Sequence, residues 1–407
     1  MNCGLLGKTL GHSYSAQIHS YLGDYSYKLF EKQPEELESF IRTGDFTGLN
    51  VTIPYKKDVI PFCDILTDCA KKLGAVNTII RRKDGTLIGH NTDYFGFRSM
   101  VDHSGIDVCG RKTLVLGSGG ASVTAVAVLQ ELGANVIVIS RSGVNNYSNL
   151  ELHSDASVIV NATPVGMYPH AGTSPVDLDQ FPNLTGVLDI VYNPTRTQLL
   201  IDAAKRGIPA ENGLWMLIAQ AKEGAEWFTG QTISDSVIQV IHKKMCKQME
   251  NLILIGMPGC GKSTIGKILA LKLGKQFVDA DAAIEQRAGM SIPEIFAKYG
   301  EEEFRKLETS VLEELGQKSC LVIATGGGCV TKQVNYPLLH QNGTIFWIQR
   351  PISQLATGGR PLSKAGKLEE MFQSRKPLYE SFADYTVFND SAPENTVTQI
   401  LNIRGVL

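Results

Sequence analysis

The sequence predicts an α/β protein of more than one domain, and three observations carry that expectation. Short apolar runs alternate with helical ones along the chain, the pattern of strands and helices in layers. Two of these runs, Lys112–Leu116 and Asn251–Ile255, each lead into a glycine turn and then a helical run. That order brings backbone N–H groups and a helix N-terminus to one point, where they suit a phosphate. Finally, 407 residues exceed one ordinary domain and suffice for two or three.

Bulk properties narrow the class. Hydrophobic residues at 43% and charged residues at 20% are the proportions of a soluble globular chain. A formal net charge of −2 argues against a general binder of nucleic acid or membrane surface, which would show a basic excess. The eight cysteines form no CxxC pair and no Cys/His ligand spacing, so they read as reduced thiols. Met1–Leu10 is too short and polar for a signal segment, and no apolar run reaches membrane-spanning length. A cytoplasmic protein is expected.

In chain order, the first region holds four polar clusters. Ser13 and Ser15 lie near a helix start, where one serine would serve as a cap and two could cradle a carboxylate. Asn50 and Thr52 share one face of a short strand that runs into a proline turn bearing Lys56. Gly74–Thr78 contributes Asn77, and Gly89–Asp93 contributes Asp93. Each cluster alone is weak, because Asn, Thr and Asp are ordinary turn formers.

A second region begins near Phe97. The strand Lys112–Leu116, the turn Gly117-Ser-Gly-Gly-Ala-Ser122 and the helix Val123–Leu132 form a dinucleotide-binding entrance, with Ser122 replacing the third glycine. A second strand, Asn135–Ile139, ends on Ser140-Arg141-Ser142. A carboxylate there would favour NAD; a guanidinium with two hydroxyls suits the 2′-phosphate of NADP. Thr232–Met249 then reads as a helix, with no Gly/Ser or Pro linker after it, so the flanking units are expected to be held close.

From Asn251, Gly256, Gly261, Lys262 and Ser263 fill the P-loop pattern G-x-x-x-x-G-K-S. Lys262 would reach the β- and γ-phosphates of ATP, and Ser263 would hold Mg²⁺. Phe277–Asp281 reads as a strand whose alternation puts Asp279 and Asp281 on one face, one for the Mg²⁺ shell and one for a substrate hydroxyl. Gly300–Arg305 opens a long helix, and the strand Cys320–Ala324 delivers Gly326, Gly327 and Gly328, which allow close backbone approach to a ligand.

Residues 1–245 resemble shikimate dehydrogenase. The matching pieces, in order, are HSxSxxxH at His12–His19, NVTxPxK at Asn50–Lys56, GAVNT at Gly74–Thr78 and NTD at Asn91–Asp93. NATPxGM at Asn161–Met167, DxVYNP at Asp189–Pro194 and GLxMLxxQA at Gly213–Ala221 follow. The resemblance implies a two-lobed dehydrogenase. Residues 1–97 with 213–245 would form the substrate lobe, and 98–212 a Rossmann-type NADP domain. It implies that Ser13 and Ser15 hold the substrate carboxylate, that Asn50, Thr52, Asn77, Tyr192 and Gln220 complete the substrate site, and that Lys56 and Asp93 are the catalytic pair. NADP(H) would rest on Gly117, Ser118, Gly119, Gly120 and Ala121, with Ser140 and Arg141 at its 2′-phosphate. Asn161, Thr163, Ile190, Tyr192 and Gly213 would flank the nicotinamide. The family's Asn-Arg-Thr stands here as Ser140-Arg141-Ser142.

Residues 251–407 resemble shikimate kinase, a P-loop domain with a parallel sheet. The P-loop, DxD, GExxFR, GGG, RPL at Arg360–Leu362 and RxPLY at Arg375–Tyr379 appear in family order. The implied shikimate site is Asp281, Arg305, Gly327 and Arg375, with Asp281 as the base and Lys262 as the catalytic cation. Gly259, Gly261, Lys262, Ser263, Thr264 and a lid residue, Arg360, would hold ATP, and Ser263 and Asp279 the Mg²⁺. The joint implication is a bifunctional enzyme that makes shikimate from 3-dehydroshikimate with NADPH and then phosphorylates it. A rival keeps the folds but makes the first half an NAD-using quinate/shikimate-type dehydrogenase and the second a shikimate-sensing module.

The segment Ile352–Arg360 is shorter than the family's lid and lacks the arginine expected near Ala356. Because lids exclude water and complete a site, the expected consequence is weaker nucleotide binding or wasteful ATP hydrolysis. Grafting in a full-length family lid should therefore tighten ATP binding and suppress shikimate-independent ADP release. Unchanged turnover and ATP affinity would refute this.

Overall fold

The computed structural model describes residues 1–11, 13–355 and 365–405, which fold as two compact units, Met1–Met245 and Cys246–Leu407. Among the described residues no helix is long and apolar enough to cross a membrane.

The first unit contains two sheets. One is built from β1 (Asn2–Gly7), β2 (Ser26–Glu31), β3 (Gly48–Val51), β4 (Ile65–Leu66), β5 (Thr78–Arg81) and β6 (Leu87–His90), in the order β2-β1-β3-β5-β6-β4. It is mixed: β1 runs parallel to β2 and β3, whereas β5 is antiparallel to β3 and β6. Every residue of β3 is buried. The serine segment follows β1 and the Lys56 turn follows β3, so these two polar clusters leave neighbouring parallel strands at the same end.

The other sheet is wholly parallel: β7 (Lys112–Leu116), β8 (Asn135–Ile139), β9 (Val158–Asn161), β10 (Gly186–Asp189) and β11 (Ala210–Asn212), ordered β11-β10-β9-β7-β8. Its strands are near-continuous apolar runs because helices or loops cover both faces; Leu114, Leu116, Ile159 and Val187 are fully buried. The strand order reverses beside β7, and the glycine turn leaves β7 at that switch point, where open parallel sheets bind ligands.

Two helices carry polar residues to the first sheet. Asp93–Ser104 packs on Leu214–Thr229 through Gly96, where an added Cβ would lie 2.8 Å from the Met216 carbonyl oxygen. Leu214–Thr229 also meets the first sheet at two glycines: Gly48 is covered by the Phe228 ring, and Gly224 lies against the Asn50 carboxamide. Gly213 caps this helix so close to β10 that an added Cβ would overlap the Ile190 carbonyl oxygen.

The second unit is one parallel sheet of β12 (Asn251–Ile255), β13 (Gln276–Asp279), β14 (Leu321–Ala324), β15 (Gly343–Gln349) and β16 (Tyr385–Phe388), ordered β13-β14-β12-β15-β16. Leu252–Ile255, Val322, Ile323 and Ile345–Ile348 form its buried centre. Lys275 Nζ caps the end of the helix Ser236–Met249, donating to the carbonyls of Lys247 (3.0 Å) and Glu250 (2.6 Å), where cations complement the helix dipole.

One detail departs from the alternation read in the sequence. β13 stops at Asp279, and Asp281 sits in the first turn of the helix Ala280–Ala288. The reason is capping: the Asp279 carboxylate accepts the N–H groups of Asp281 (3.1 Å) and Ala282 (3.4 Å), and those bonds turn the chain into a helix. The helix Ile292–Gln317 is interrupted at Gly300, whose φ of 81° is left-handed, so a long helix starts where the sequence reading placed one.

Because Gly213 leaves no room for a side chain, Gly213→Ala should destabilise the first unit by roughly 1–3 kcal/mol or more, as overpacking does. A melting curve followed by tryptophan fluorescence should show this loss, and a wild-type midpoint would contradict the packing described.

Candidate active sites

At the first site, Lys56 Nζ and Asp93 Oδ2 are 2.6 Å apart, with 28% and 14% of the two side chains exposed. Both are held from behind. The Lys56 carbonyl accepts the Val76 N–H (2.8 Å), and the Asp93 N–H donates to Asn91 Oδ1 (3.0 Å), whose amide donates to the Ala75 carbonyl (3.0 Å). Asp93 opens its helix, where the dipole favours a carboxylate. A partly buried ammonium beside a fixed carboxylate can give a proton to an oxygen that becomes negative.

Carboxamides and hydroxyls gather beside the pair. Asn77 Oδ1 accepts the Thr92 N–H (2.8 Å), and Asn77 Nδ2 donates to Thr92 Oγ1 (3.1 Å). The Thr92 hydroxyl donates to Gln220 Oε1 (3.3 Å), so the late helix reaches the same point. Ser13 Oγ accepts the Ser15 N–H (3.2 Å), and Tyr14 between them meets Tyr192 edge-on at 6.2 Å. Thr52 abuts Gly7 at the end of β1. Asn50 is different. Its carboxamide accepts from the Tyr27 hydroxyl (2.7 Å) and donates to Thr78 (3.1 Å), so it lies beneath the other residues, committed to internal partners.

The dinucleotide turn has the required shape. Gly117 has φ 108° and backs onto Ala162 and Thr163, a left-handed conformation that needs glycine. Gly119 caps the helix that starts at Gly120, and a Cβ added to either meets nothing within 4 Å, so Gly119, Gly120 and the flanking Ser118 and Ala121 edge open space above a helix N-terminus. Ser122 sits where the third glycine was expected, and its hydroxyl donates to the Gly117 carbonyl at 2.7 Å, pinning the turn. Ser140 and the exposed Arg141 follow β8.

Asn161 is fully buried, and its groups shape the next loop: Nδ2 donates to Asp189 Oδ1 (2.9 Å) and Oδ1 accepts the Thr163 hydroxyl (2.6 Å). Asp189 also accepts the Val191 N–H (3.0 Å) and the Thr197 hydroxyl (2.6 Å). Burial pushes its carboxyl up to about 6, against the lowering effect of Thr197, Val191 and Asn161.

In the second unit, the Ser263 hydroxyl donates to Asp279 Oδ2 at 2.6 Å, bringing both expected Mg²⁺ residues together. Among the described residues no three His, Cys, Asp or Glu side chains form a metal cluster. A hydroxyl and one carboxylate nevertheless suit Mg²⁺, which fills its shell with phosphate oxygens and water. Gly256, Gly259 and Gly261 all have positive φ, and Lys262 folds back to donate to the carbonyls of Gly256 (2.8 Å) and Met257 (3.0 Å). Thr264 follows in the first helical turn.

Asp281 and Glu308 both press on Gly326: a Cβ there would lie 2.7 and 2.8 Å from their carboxylate oxygens. Arg305 Nη1 donates to Glu308 Oε2 (2.7 Å), and its guanidinium lies against Gly328. Arg375 Nη1 donates to the Gly327 carbonyl (3.1 Å), which Tyr379 also binds (2.5 Å). Burial pushes the Glu308 carboxyl up, and Arg305 opposes the shift. Glu308 was not singled out from the sequence, although its place three residues after Arg305 on a helix was a signal. Asn389 was also missed. It donates to the Cys260 carbonyl (2.8 Å) inside the glycine loop, and nothing in its neighbourhood announced that. Arg360, the lid residues 356–364 and His12 lie outside the described residues, whereas the lid's first turn, Ile352–Gln354, is described.

A parallel sheet with a glycine turn at its switch point, next to a Lys–Asp pair among carboxamides, defines a dinucleotide-dependent oxidoreductase. A P-loop with a Ser–Asp pair and a carboxylate–arginine cluster defines a phosphotransferase. Residues 5–79 match the family model described as the shikimate dehydrogenase substrate binding domain, and residues 258–404 the one described as shikimate kinase. The shikimate dehydrogenase (NADP⁺) of Caldicellulosiruptor saccharolyticus is 33% identical over 278 residues, covering 60% of this chain and 98% of that protein. The structure of shikimate dehydrogenase 1 from Peptoclostridium difficile superposes with a TM-score of 0.56 at 36% identity, covering 60% of this chain and 97% of that one. Shikimate 5-dehydrogenase from Thermus thermophilus, solved with NADP(H) and shikimate, gives 0.55 at 29% identity, with 60% and 99% covered. The chain belongs to the shikimate dehydrogenase family and joins to it a shikimate kinase domain, which makes it a bifunctional enzyme of the shikimate pathway.

One pH effect follows from Asp189. Its folded-state value of about 6 stands above the ordinary carboxyl value of 3.8, so it binds its proton more tightly in the folded chain. Its stability contribution is complete below the unfolded value and is lost as pH rises through about 6. Asp189→Asn should remove that component. Urea midpoints of wild type and variant should converge towards acid and separate towards neutrality, with the variant relatively more stable at the higher pH; parallel profiles would contradict the assignment.

Proposed function

We propose that the first unit reduces 3-dehydroshikimate to shikimate with NADPH and that the second transfers a phosphoryl group from MgATP to the shikimate 3-hydroxyl. The observation that carries the first reaction is the 2.6 Å Lys56–Asp93 pair beside Asn77, Thr92 and Gln220. NADPH supplies the hydride when bound. Lys56 gives a proton to the oxygen that becomes an alkoxide, and Asp93 keeps the ammonium aimed. Ser13 and Ser15, with Tyr192 close to the same segment, receive the carboxylate, and Asn77 and Gln220 take ring hydroxyls. The open edge at Gly119 and Gly120 suits the pyrophosphate, and Arg141 the 2′-phosphate.

In the second unit Arg305 and Arg375 grip the carboxylate, a task that suits a planar guanidinium. Asp281 accepts the proton of the attacking hydroxyl, and Lys262 neutralises charge on the transferring group. Ser263 and Asp279 would hold the Mg²⁺, which would supply charge stabilisation for the phosphates. The proposed layout is a substrate lobe of 1–97 with 213–245, an NADP domain of 98–212 and a kinase domain of 251–407. All eight cysteines are free, which supports a reducing, cytoplasmic setting.

The test is direct. Purified protein given dehydroshikimate, NADPH and MgATP should consume NADPH and form phosphorylated shikimate, and ADP release should depend on shikimate. Lys56→Ala should lower the reduction rate by about 10²–10⁴-fold, the usual worth of a positioned acid, and leave phosphorylation of supplied shikimate intact. Failure of either activity to saturate with its acid substrate would overturn that half of the reading.

A further inference from the structure

The three glycines of the phosphotransferase unit contain a joint that the proposed chemistry leaves unexplained. The Cys329 N–H donates to the Gly326 carbonyl (3.2 Å), which closes a β-turn with Gly327 and Gly328 at its centre. Gly328 has φ −105° and ψ 1°, the conformation of the third residue of a type I turn. A type II turn differs by a half-rotation of the central peptide and needs φ of about +80° at that residue. Glycine takes either value without steric cost, so the turn's own sequence does not choose between the two. Side chains make the choice.

The central peptide carries the Gly327 carbonyl and the Gly328 N–H. The Tyr379 hydroxyl donates to that carbonyl (2.5 Å), and Arg375 Nη1, one helical turn earlier, donates to it as well (3.1 Å). Of the two, Tyr379 is the dedicated one, because Arg375 has further donors and belongs to the proposed carboxylate grip. The phenol is fully buried, and its ring is stacked on Trp347, with centroids 5.5 Å apart and planes 22° from parallel. Burial pushes the phenol up, so it keeps the one proton it has to give. Its other acceptor among the described residues is the Met257 thioether sulfur at 3.9 Å, a weak one. A flipped peptide would carry the carbonyl away and strand a buried hydroxyl, the expensive case for a hydrogen bond.

In a trans peptide the N–H points opposite to the carbonyl. Nothing among the described residues accepts the Gly328 N–H, so the latched turn leaves it as a donor for a ligand. The Arg305 guanidinium lies against the same glycine, which puts a cation next to that donor. The flipped turn would offer a carbonyl oxygen instead, which repels an anion. We infer that Tyr379 is a positioning residue for the acid that the phosphotransferase unit accepts: its hydroxyl latches the central peptide of the 326–329 turn and keeps the Gly328 N–H available as a donor beside Arg305. The inference rests on the proposed function and deepens its acceptor site.

The experiment compares two variants of the full chain in a coupled ADP-release assay with shikimate and MgATP. Tyr379→Phe keeps the stacked ring and removes the donor, whereas Trp347→Phe keeps the donor and loosens the ring's packing. Tyr379→Phe should raise the KM for shikimate about five- to tenfold, the scale of one hydrogen bond, with a smaller change in kcat and a wild-type KM for MgATP. Trp347→Phe should leave the KM for shikimate at its wild-type value. An unchanged shikimate KM in Tyr379→Phe, or a matching rise in Trp347→Phe, would overturn the inference. So would a parallel loss of MgATP binding or an inactive, misfolded unit, because Tyr379 would then serve packing alone. A wild type whose ADP release does not saturate with shikimate would instead overturn the function on which the inference rests.

Discussion

Three consecutive residues hold the first unit's chemistry in place. Asn91 ties the Ala75 carbonyl and the Asp93 N–H, Thr92 ties Asn77 and Gln220, and Asp93 ties Lys56. The bonds that leave the tripeptide reach three segments: the loop before β5, through Ala75 and Asn77, the late helix, and the proline turn after β3. The tripeptide sits between β6 and a helix start, where the backbone must change direction and its polar groups need side-chain partners. One local requirement of helix initiation thereby fixes the geometry of three separate segments.

The second unit solves the same problem with Asp279. One carboxylate oxygen caps the helix Ala280–Ala288 and the other receives the Ser263 hydroxyl. The first role ends β13 and places Asp281 on a helix, from which it reaches Gly326 beside Glu308. The second joins the strand to the phosphate loop. In the second unit a single acidic residue at the boundary between strand and helix thus does what three consecutive residues share in the first.

Legibility in the sequence followed the range of the forces involved. Asn251–Ile255 and Lys112–Leu116 were readable to the residue, because a buried parallel strand between turn signals leaves a continuous apolar mark. The glycine turns were readable because only glycine tolerates φ values such as 108° at Gly117 and 100° at Gly261. Side-chain commitments were not. Asn50 and Asn161 look available on paper, yet the fold consumes their carboxamides internally, and no local pattern distinguishes the two cases. Asp281 was misplaced onto a strand because capping by its neighbour outweighed alternation. Asn389 reaches the glycine loop from the far end of the chain, a contact only the assembled sheet creates.

The inward fold of Lys262 has a consequence for what the glycine loop will accept. Its ammonium already donates to two backbone carbonyls and the residue is 8% exposed, so the cation is partly solvated by the loop itself before any ligand arrives. A visiting anion must draw the cation away from both oxygens and leave them to other donors. A weakly charged species offers too little attraction for that exchange, whereas a polyphosphate meets the glycine N–H groups and the ammonium at once. Any ligand of the loop therefore competes with two internal carbonyls for the same cation.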